Sequence, residues 1–464
     1  MNLESLYVKL PAAFLQNWAC SLVGLGTRLT RYSHEFWYLL EEYERRIHWS
    51  PEKIRSYQDR CLRSFVKHSA KTVAYYRSKF KEWEIDPESI RTLEHLKRIP
   101  SLSKEQVQDC RLDLVSTAKF SSRKRVIHTS GTTGGGLQLV TTSQAIRHQW
   151  AVWWRYFRWH GIQPGTLCAY FGGRSVVPWS QTNPPFWRYN YPGRQILFSG
   201  YHMGPRTLPF YVDEMRKKRP PWLHGYPSHL ALLAAHIMEH NVDLGYQIRW
   251  MTTGAESLLE HQADLMEQAF GLRPRQHYGM AEAVANISEC PRGSLHVDED
   301  FSAVEFVPHP HVLGYKIIGT NFTNPAMPLL RYDVEDMVAL AEDSCSCGLP
   351  GRVVLRIDGR REDYVILRNG TRIGRMDHIF KNMTSIREAQ ISQREIGQII
   401  VHVVKAGSYT HKDEMALKRE AVKRVGADTE VKIEYVDAIK RTKTGKLRFV
   451  ISEIPEGRLT EVRP

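Results

Sequence analysis

The sequence predicts an α/β protein, with a large multi-layered N-terminal α/β domain and a smaller α+β C-terminal domain. Three observations predict it. Between Gly161 and about residue 350, short apolar runs alternate with segments of helical period, the texture of a layered core with some parallel pairing. Beyond about Val353 the order becomes strand-rich around one helical segment, as in a separate unit of about 100 residues. The chain has 464 residues, 25% of them charged, with 12 Trp, 21 Tyr and 16 Phe, which is enough to build more than one core and excludes disorder.

The first 120 residues read as mostly helical. Pro51 stands where a first helical residue is favoured, and Ile54, Tyr57, Cys61, Leu62 and Phe65 then fall on one face. Cys61 on that stripe is read as core. A second helix is expected from an N-cap at Thr142 or Ser143 to Gly161, with Ile146, Trp150, Trp153, Trp154 and Phe157 forming a packed face. Leu167–Phe171, Ile196–Phe198 and Arg249–Thr252 are expected as strands, Pro227–Glu239 and Leu258–Phe270 as helices. In the last unit, Asp363–Leu367, Gln398–Val404, Val431–Tyr435 and Leu447–Ile451 are expected as strands around the helix Lys412–Val425.

The most apolar stretch, Pro11 to Gly26, is broken by Gln16, Asn17 and Ser21 and is too short for a spanning helix. It lacks the basic lead of a secretory signal. Seven scattered cysteines form no disulfide framework, so a cytoplasmic location is expected. A net charge of +14 suggests a polyanionic neighbour, either a phosphorylated substrate or an anionic membrane surface touched peripherally; solubility alone is the plain alternative. Because the basic residues are spread over many segments, nucleic acid is disfavoured.

The sharpest local signal is HTSGTTGGG, His128 to Gly136, after the expected strand Arg125–Ile127. Ser130, Thr132 and Thr133 among Gly131, Gly134 and further glycines can turn N–H groups and hydroxyls toward a polyphosphate. It is not a Walker loop, since no Gly-Lys-[Ser/Thr] follows and LQLVTT reads as strand. A bare hairpin loop is the alternative. Four segments follow in order: TTGAES (Thr252–Ser257), HYGMAE (His277–Glu282), MPLLRYDVED (Met327–Asp336) and IDGRRED (Ile357–Asp363). KRTKTGKLR (Lys440–Arg448) comes last. Together these resemble the adenylate-forming superfamily of acyl-CoA synthetases over about Ile127 to Arg448, and within it the phenylacetate–CoA ligase group. The runs RIGRMDHIFKNMTSIREAQISQ and KLPAAFLQNWACSLVG resemble the CapK branch, associated with capsular and surface polysaccharide loci.

The resemblance implies roles, position by position. Ser130–Gly134 wrap the β- and γ-phosphates of ATP. Gly254, Ala255 and Glu256 line the adenine pocket, Tyr278 presents a flat face to the ring, Gly279 beside it counts among the nucleotide-binding residues, and Glu282 offers a carboxylate to Mg²⁺. Asp336 accepts from the ribose hydroxyls, helped by Arg360. Lys446 brings its ammonium to the α-phosphate and the attacking carboxylate. Four departures stand out. Gly136 and Leu137 replace a Pro-Lys pair, Ala281 a Thr or Ser, Glu335 a glycine, and Glu362, at the implied hinge, an aspartate. Cys290, His296, Cys345 and Cys347 resemble a cysteine set of some phenylacetate–CoA ligase relatives. Such a Cys3His set closes a tetrahedral Zn²⁺ site of structural type, with free thiols in a turn as the alternative.

The implied organisation is residues 1–120 as the helical part of the large domain, 121–357 as its nucleotide- and acyl-binding core, 358–363 as hinge, and 364–464 as a mobile small domain. The implied activity is adenylation of a small carboxylate by ATP with release of pyrophosphate, then transfer to CoA or to an amine or hydroxyl on a sugar precursor. An acyl pocket is expected between Phe171–Trp187 and the loop His224–Pro227, which contains Tyr226. A homodimer is compatible with this reading. The alternative is a catalytically impaired nucleotide-binding scaffold of a polysaccharide assembly complex.

Overall fold

The computed structural model describes residues 12–129, 137–174, 176–178, 180–309, 314–360, 364–368, 372–373, 376–380, 383, 385–407, 409–442 and 447–454. Helices α1 (Ala13–Arg31), α2 (His34–Arg46), α3 (Pro51–Thr72) and α4 (Ala74–Glu82) lead, followed by short α5 (Leu93–Leu96) and α6 (Lys104–Asp109). Ser50 caps α3 by accepting the Lys53 N–H, with Pro51 at its first turn; Ile54, Leu62 and Phe65 of the stripe are buried, while Tyr57 and Cys61, the latter expected as core, lie at its edge and are only partly buried.

The hairpin β1 (Lys124–His128) and β2 (Gln138–Thr142) is a two-stranded sheet of its own. Thr142 then caps α7 (Ser143–Trp159), its hydroxyl accepting the Ala145 N–H at 3.1 Å, a cap worth about 1 kcal/mol. The tryptophan run on α7 is a packing face: Trp154 and Phe157 are buried against Phe36, Leu40, Tyr43 and Trp222.

The main sheet has twelve strands. They are β3 (Cys168–Phe171), β4 (Trp187–Asn190), β5 (Gln195–Phe198), β6 (Trp222–Gly225), β7 (Trp250–Gly254), β8 (Arg275–Gly279), β9 (Asn286–Glu289), β10 (Leu295–Val297), β11 (Ser302–Pro308), β12 (Tyr315–Asn321), β13 (Tyr332–Leu340) and β14 (Val353–Arg360). Their spatial order is β11-β12-β13-β14-β10-β9-β8-β7-β6-β3-β5-β4. Strands β5, β3, β6, β7 and β8 pair in parallel, and the other pairings are antiparallel. Helices α8 (Leu208–Lys218), α9 (Pro227–Glu239) and α10 (Glu260–Phe270) contribute to the core of the parallel half.

Past β14 a second core forms on β17 (Ile386–Gln393), β18 (Gln398–Lys405), β19 (Glu430–Tyr435), β20 (Val450–Ser452) and α11 (His411–Val425), in the sheet order β19-β18-β17-β20. The small hairpin β15 (Val365–Ile366) and β16 (Arg372–Ile373) precedes it. Strand β17 was not among the expected elements. Arg387 and the Gly407 N–H both bind the carboxylate of Glu239 at the end of α9, joining the small unit to the large one.

Candidate nucleotide and acyl site

Parallel strands bring their carboxyl ends to one edge, where an α/β sheet offers its crevice. Here those ends are Phe171, Gly225, Gly254 and Gly279, and the motif residues Tyr226, Ala255, Glu256 and Tyr278 sit on or just beyond them. The Tyr226 N–H donates to the Phe171 carbonyl at 3.0 Å, so the two segments expected to flank the acyl pocket adjoin. A Cβ on Gly254 would approach the His277 carbonyl to 3.2 Å, which keeps this edge tight.

The Tyr278 hydroxyl donates to Asp336 Oδ2 at 2.6 Å, bringing together two residues 58 apart in sequence. Asp336 lies opposite Arg360 in the β13–β14 ladder. Glu335, where the resemblance expects glycine, takes the left-handed conformation (φ 66°), its N–H held by Asp333 Oδ1 at 3.0 Å. Ala255 (φ 68°), in TTGAES, and Ala283 (φ 55°), the residue after HYGMAE, do the same. Non-glycine residues held so are strained by roughly 1–2 kcal/mol each and gather at functional sites. Glu282 lies in the turn after β8, and its carbonyl accepts from Asn321 at 3.2 Å.

Glu256 joins the two units. Its Oε1 accepts the Leu447 N–H at 2.7 Å and its Oε2 the Ser228 N–H, in the first turn of α9, at 3.2 Å. Burial raises its pKa, opposed by Arg441 and by these two N–H donors. Glu256, which the resemblance assigns to the adenine pocket, thus has its carboxylate held between Leu447 and Ser228.

Beneath Tyr278 runs a polar network that the motifs do not announce. Asn286 Oδ1 accepts from Trp153 Nε1 and from His277 Nε2, each at 2.9 Å, and its amide donates to Asp298. Asp298 and Asp300 clamp Arg155 at 2.6 and 2.9 Å, all three nearly inaccessible to solvent. Arg155 lies off the aromatic stripe of α7, and its spacing gave no sign of burial. Burial lowers His277 to a pKa of about 3 and His224 to about 4, so both are neutral imidazoles. His224 Nδ1 bonds the Thr252 hydroxyl at 2.8 Å.

The aromatic stretch divides. Phe171 and Phe186 are core residues, stacked on Phe198 and Tyr211 respectively, while Tyr170 and Trp187 are only partly buried. Ser130, Gly131, Thr132, Thr133, Gly134, Glu362 and Lys446 lie outside the described residues. So does the Arg360 side chain. The base of the glycine-rich loop is closed by the Thr129 N–H to the Leu137 carbonyl at 2.9 Å and the Leu137 N–H to the Thr129 hydroxyl at 2.8 Å.

Cys290, His296, Cys345 and Cys347 converge, their donor atoms all within 4.8 Å of one another. His296 Nδ1 donates to the Pro350 carbonyl at 3.1 Å, the tautomer that turns the Nε2 lone pair toward Cys347 Sγ, 3.3 Å away. Burial pushes the Cys345 thiol up, but its hydrogen-bonding contacts with Ser294, with the His296 ring and with Cys347 outweigh it and bring it down to about 6. Backbone N–H groups of Cys347 and Leu349 point at the two sulfurs. Three sulfurs and one imidazole at this separation fit a four-coordinate Zn²⁺.

The large sheet, its site edge and the smaller following unit define the fold of the adenylate-forming CoA ligases. The structure matches 2-hydroxyisobutyryl-CoA ligase, solved in the postadenylation state with 2-HIB-AMP, at a TM-score of 0.69 and 18% identity over 88% of this chain and 91% of that one. The same ligase with 2-HIB-AMP and CoA in the thioesterification state matches at 0.53, with 19% identity over the same shares. In sequence, the chain is similar to protein CapK of Staphylococcus aureus, with 27% identity over 407 residues, 86% of this chain and 89% of that protein. It is 24% identical over 443 residues to phenylacetate-coenzyme A ligase of Thermus thermophilus, covering 86% and 96%. Residues 365–453 match the family model of the CapK C-terminal domain.

Proposed function

We propose that this protein is an AMP-forming carboxylate ligase: it couples a carboxylic acid to ATP, releases pyrophosphate, and passes the acyl group from the adenylate to an acceptor. The observation that carries this is the Glu256–Leu447 contact, which sets the residue following Lys446 against the adenine-side motif. In this reading Asp336, oriented by Tyr278, accepts from the ribose hydroxyls, and the loop Ser130–Gly134 takes the phosphates. Glu282 would hold Mg²⁺, which supplies charge neutralisation at the phosphates. The Lys446 ammonium stabilises charge that develops as the carboxylate attacks the α-phosphorus, and proximity does the rest. The greater likeness to the postadenylation form supports reading the small unit's position as the one used for adenylation.

The acceptor is CoA, as the name of the phenylacetate-coenzyme A ligase relative suggests, or an amine or hydroxyl on a sugar precursor of a surface polysaccharide, the acceptor class that the resemblance to the CapK branch implies. Residues 358–363, with Glu362, are the segment about which the small domain turns between the two half-reactions. The Cys3His cluster is a structural zinc site that ties the turn after β9 to the loop after β13. The scaffold reading predicts ATP binding with no turnover. The test is hydroxylamine trapping of acyl-adenylate with ATP and a panel of aryl, aliphatic, amino and uronic acids. Acyl-hydroxamate and AMP with one acid class are expected. ATP binding without AMP from any acid, or from cell extract, would favour the scaffold.

A further inference from the structure

Helix α1 is built inside out. Its buried residues are Gln16, Ser21 and Gly24, whereas Phe14, Trp18, Leu22, Val23, Leu25 and Leu29 are between 43% and 69% exposed. An ordinary surface helix turns its apolar stripe to the core.

The inversion is held by specific bonds. Arg188 Nε donates to Gln16 Oε1 at 2.6 Å, the Tyr189 N–H to Asn17 Oδ1 at 3.0 Å, and the Tyr191 N–H to Ser21 Oγ at 3.3 Å. A Cβ on Gly24 would fall 1.8 Å from Asn190 Oδ1, so the helix is seated on β4 with no room for a side chain there. At its far end the Arg31 guanidinium carbon stands over Trp150, 3.7 Å from the ring centroid. The apolar face is therefore fixed outward. Isolated exposed apolar side chains need no explanation, but six on one helix do.

The surroundings decide what covers it. No acidic residue occurs from Ala12 to His34. Arg28 is exposed and reaches the Pro192 carbonyl at 3.4 Å, and Lys218 stands 5.2 Å over the ring of Tyr189, the residue that α1 holds through Asn17. Lys217, Lys218 and Arg219 are exposed at the end of α8. A second copy docking through the same face would set these like charges against each other, because a two-fold interface opposes each patch to itself. A negatively charged bilayer surface complements both parts, taking Trp and Leu side chains at the acyl boundary and the cations at the headgroups.

We infer that α1 is an interfacial anchor that lays this face, with its basic rim, on an anionic lipid surface. No described helix is long and apolar enough to cross a membrane, so the contact is peripheral.

The experiment is co-sedimentation of the full chain with vesicles of phosphatidylcholine alone and of phosphatidylcholine containing phosphatidylglycerol, at low and high salt. Wild type should pellet with the phosphatidylglycerol vesicles and be released by salt. Trp18→Glu/Leu22→Glu should lose binding at unchanged melting temperature, both side chains being exposed. Lys217→Glu/Lys218→Glu should weaken it by about tenfold or more. The inference is overturned if wild type ignores both vesicles, or if Trp18→Glu/Leu22→Glu binds as well as wild type. It is equally overturned if wild type is a dimer that Trp18→Glu/Leu22→Glu converts to monomer, which assigns the face to a second copy.

Discussion

The Leu447 N–H donates to Glu256 Oε1 at 2.7 Å, across the boundary between the small unit and the site edge of the main sheet. The other oxygen of the same carboxylate holds the first turn of α9. One side chain thus ties the segment that follows Lys446 to the parallel half of the sheet.

Glu256→Ala removes both acceptors. A hydrogen bond to a charged group is worth about 1.5–3 kcal/mol, so adenylation should fall by roughly 10- to 100-fold. ATP affinity should change little, and acyl transfer from preformed adenylate should be spared. Equal loss in both half-reactions, measured by single-turnover kinetics, would show that the contact is not specific to adenylation.

Tyr278→Phe deletes the donor to Asp336 while keeping the ring. The KM for ATP should rise about five- to tenfold with kcat nearly unchanged, the loss expected of about 1 kcal/mol of uniform binding. A fall in kcat alone would place this pair elsewhere in the reaction.

His277 is depressed by burial to a pKa of about 3, below its ordinary 6.5. The unfolded chain therefore binds the extra proton first, and the stability it gives is complete above about pH 6.5 and lost as pH falls toward 3. His277→Asn should be less stable than wild type at pH 7, with the gap narrowing by about 1 kcal/mol per pH unit below 6.5. Denaturant melts at pH 7 and pH 5 measure it, and a constant gap would contradict a neutral buried His277.

Purified protein should carry about one zinc ion per chain, held by Cys290, His296, Cys345 and Cys347. Cys345→Ser should release it and lower the melting temperature, since metal affinity in such a site is folding free energy. Elemental analysis without zinc in freshly purified protein would leave Cys290, Cys345 and Cys347 as free thiols.

The sequence was most legible where local chemistry and burial agree. Helix α9 runs Pro227–Glu239 as expected, because Pro227 sets its first turn and its apolar residues are buried on several faces. Thr142 caps α7 as its position before the helical run suggests, whereas the bond from Tyr278 to Asp336 was not announced by either motif. The antiparallel half of the main sheet was not legible. Strand β9, Asn286–Glu289, is wholly buried yet carries Asn, Ser and Glu, so no alternation shows. Its polar groups are satisfied by Trp153, His277, Asp298 and Arg275, partners drawn from elsewhere in the chain. The apolar stripe of α1 could equally have been core, and only the bonds from Arg188, Tyr189 and Tyr191 to its polar face reveal that it points outward. Which rings of the stretch Phe171–Trp187 are core was not legible either: Phe171 and Phe186 are buried while Trp187 is only partly so, because aromatic identity says nothing of which face of a strand is buried.

The central claim is reversible adenylation by a site that spans both units. The direct measurement is exchange of labelled pyrophosphate into ATP, dependent on a carboxylic acid and run without CoA, for wild type and Lys446→Ala. Exchange by wild type with one acid class, falling about 10²- to 10³-fold in Lys446→Ala while ATP still binds, is the predicted result. Exchange undiminished in Lys446→Ala, or ATP binding with no exchange from any acid tested, would contradict the account.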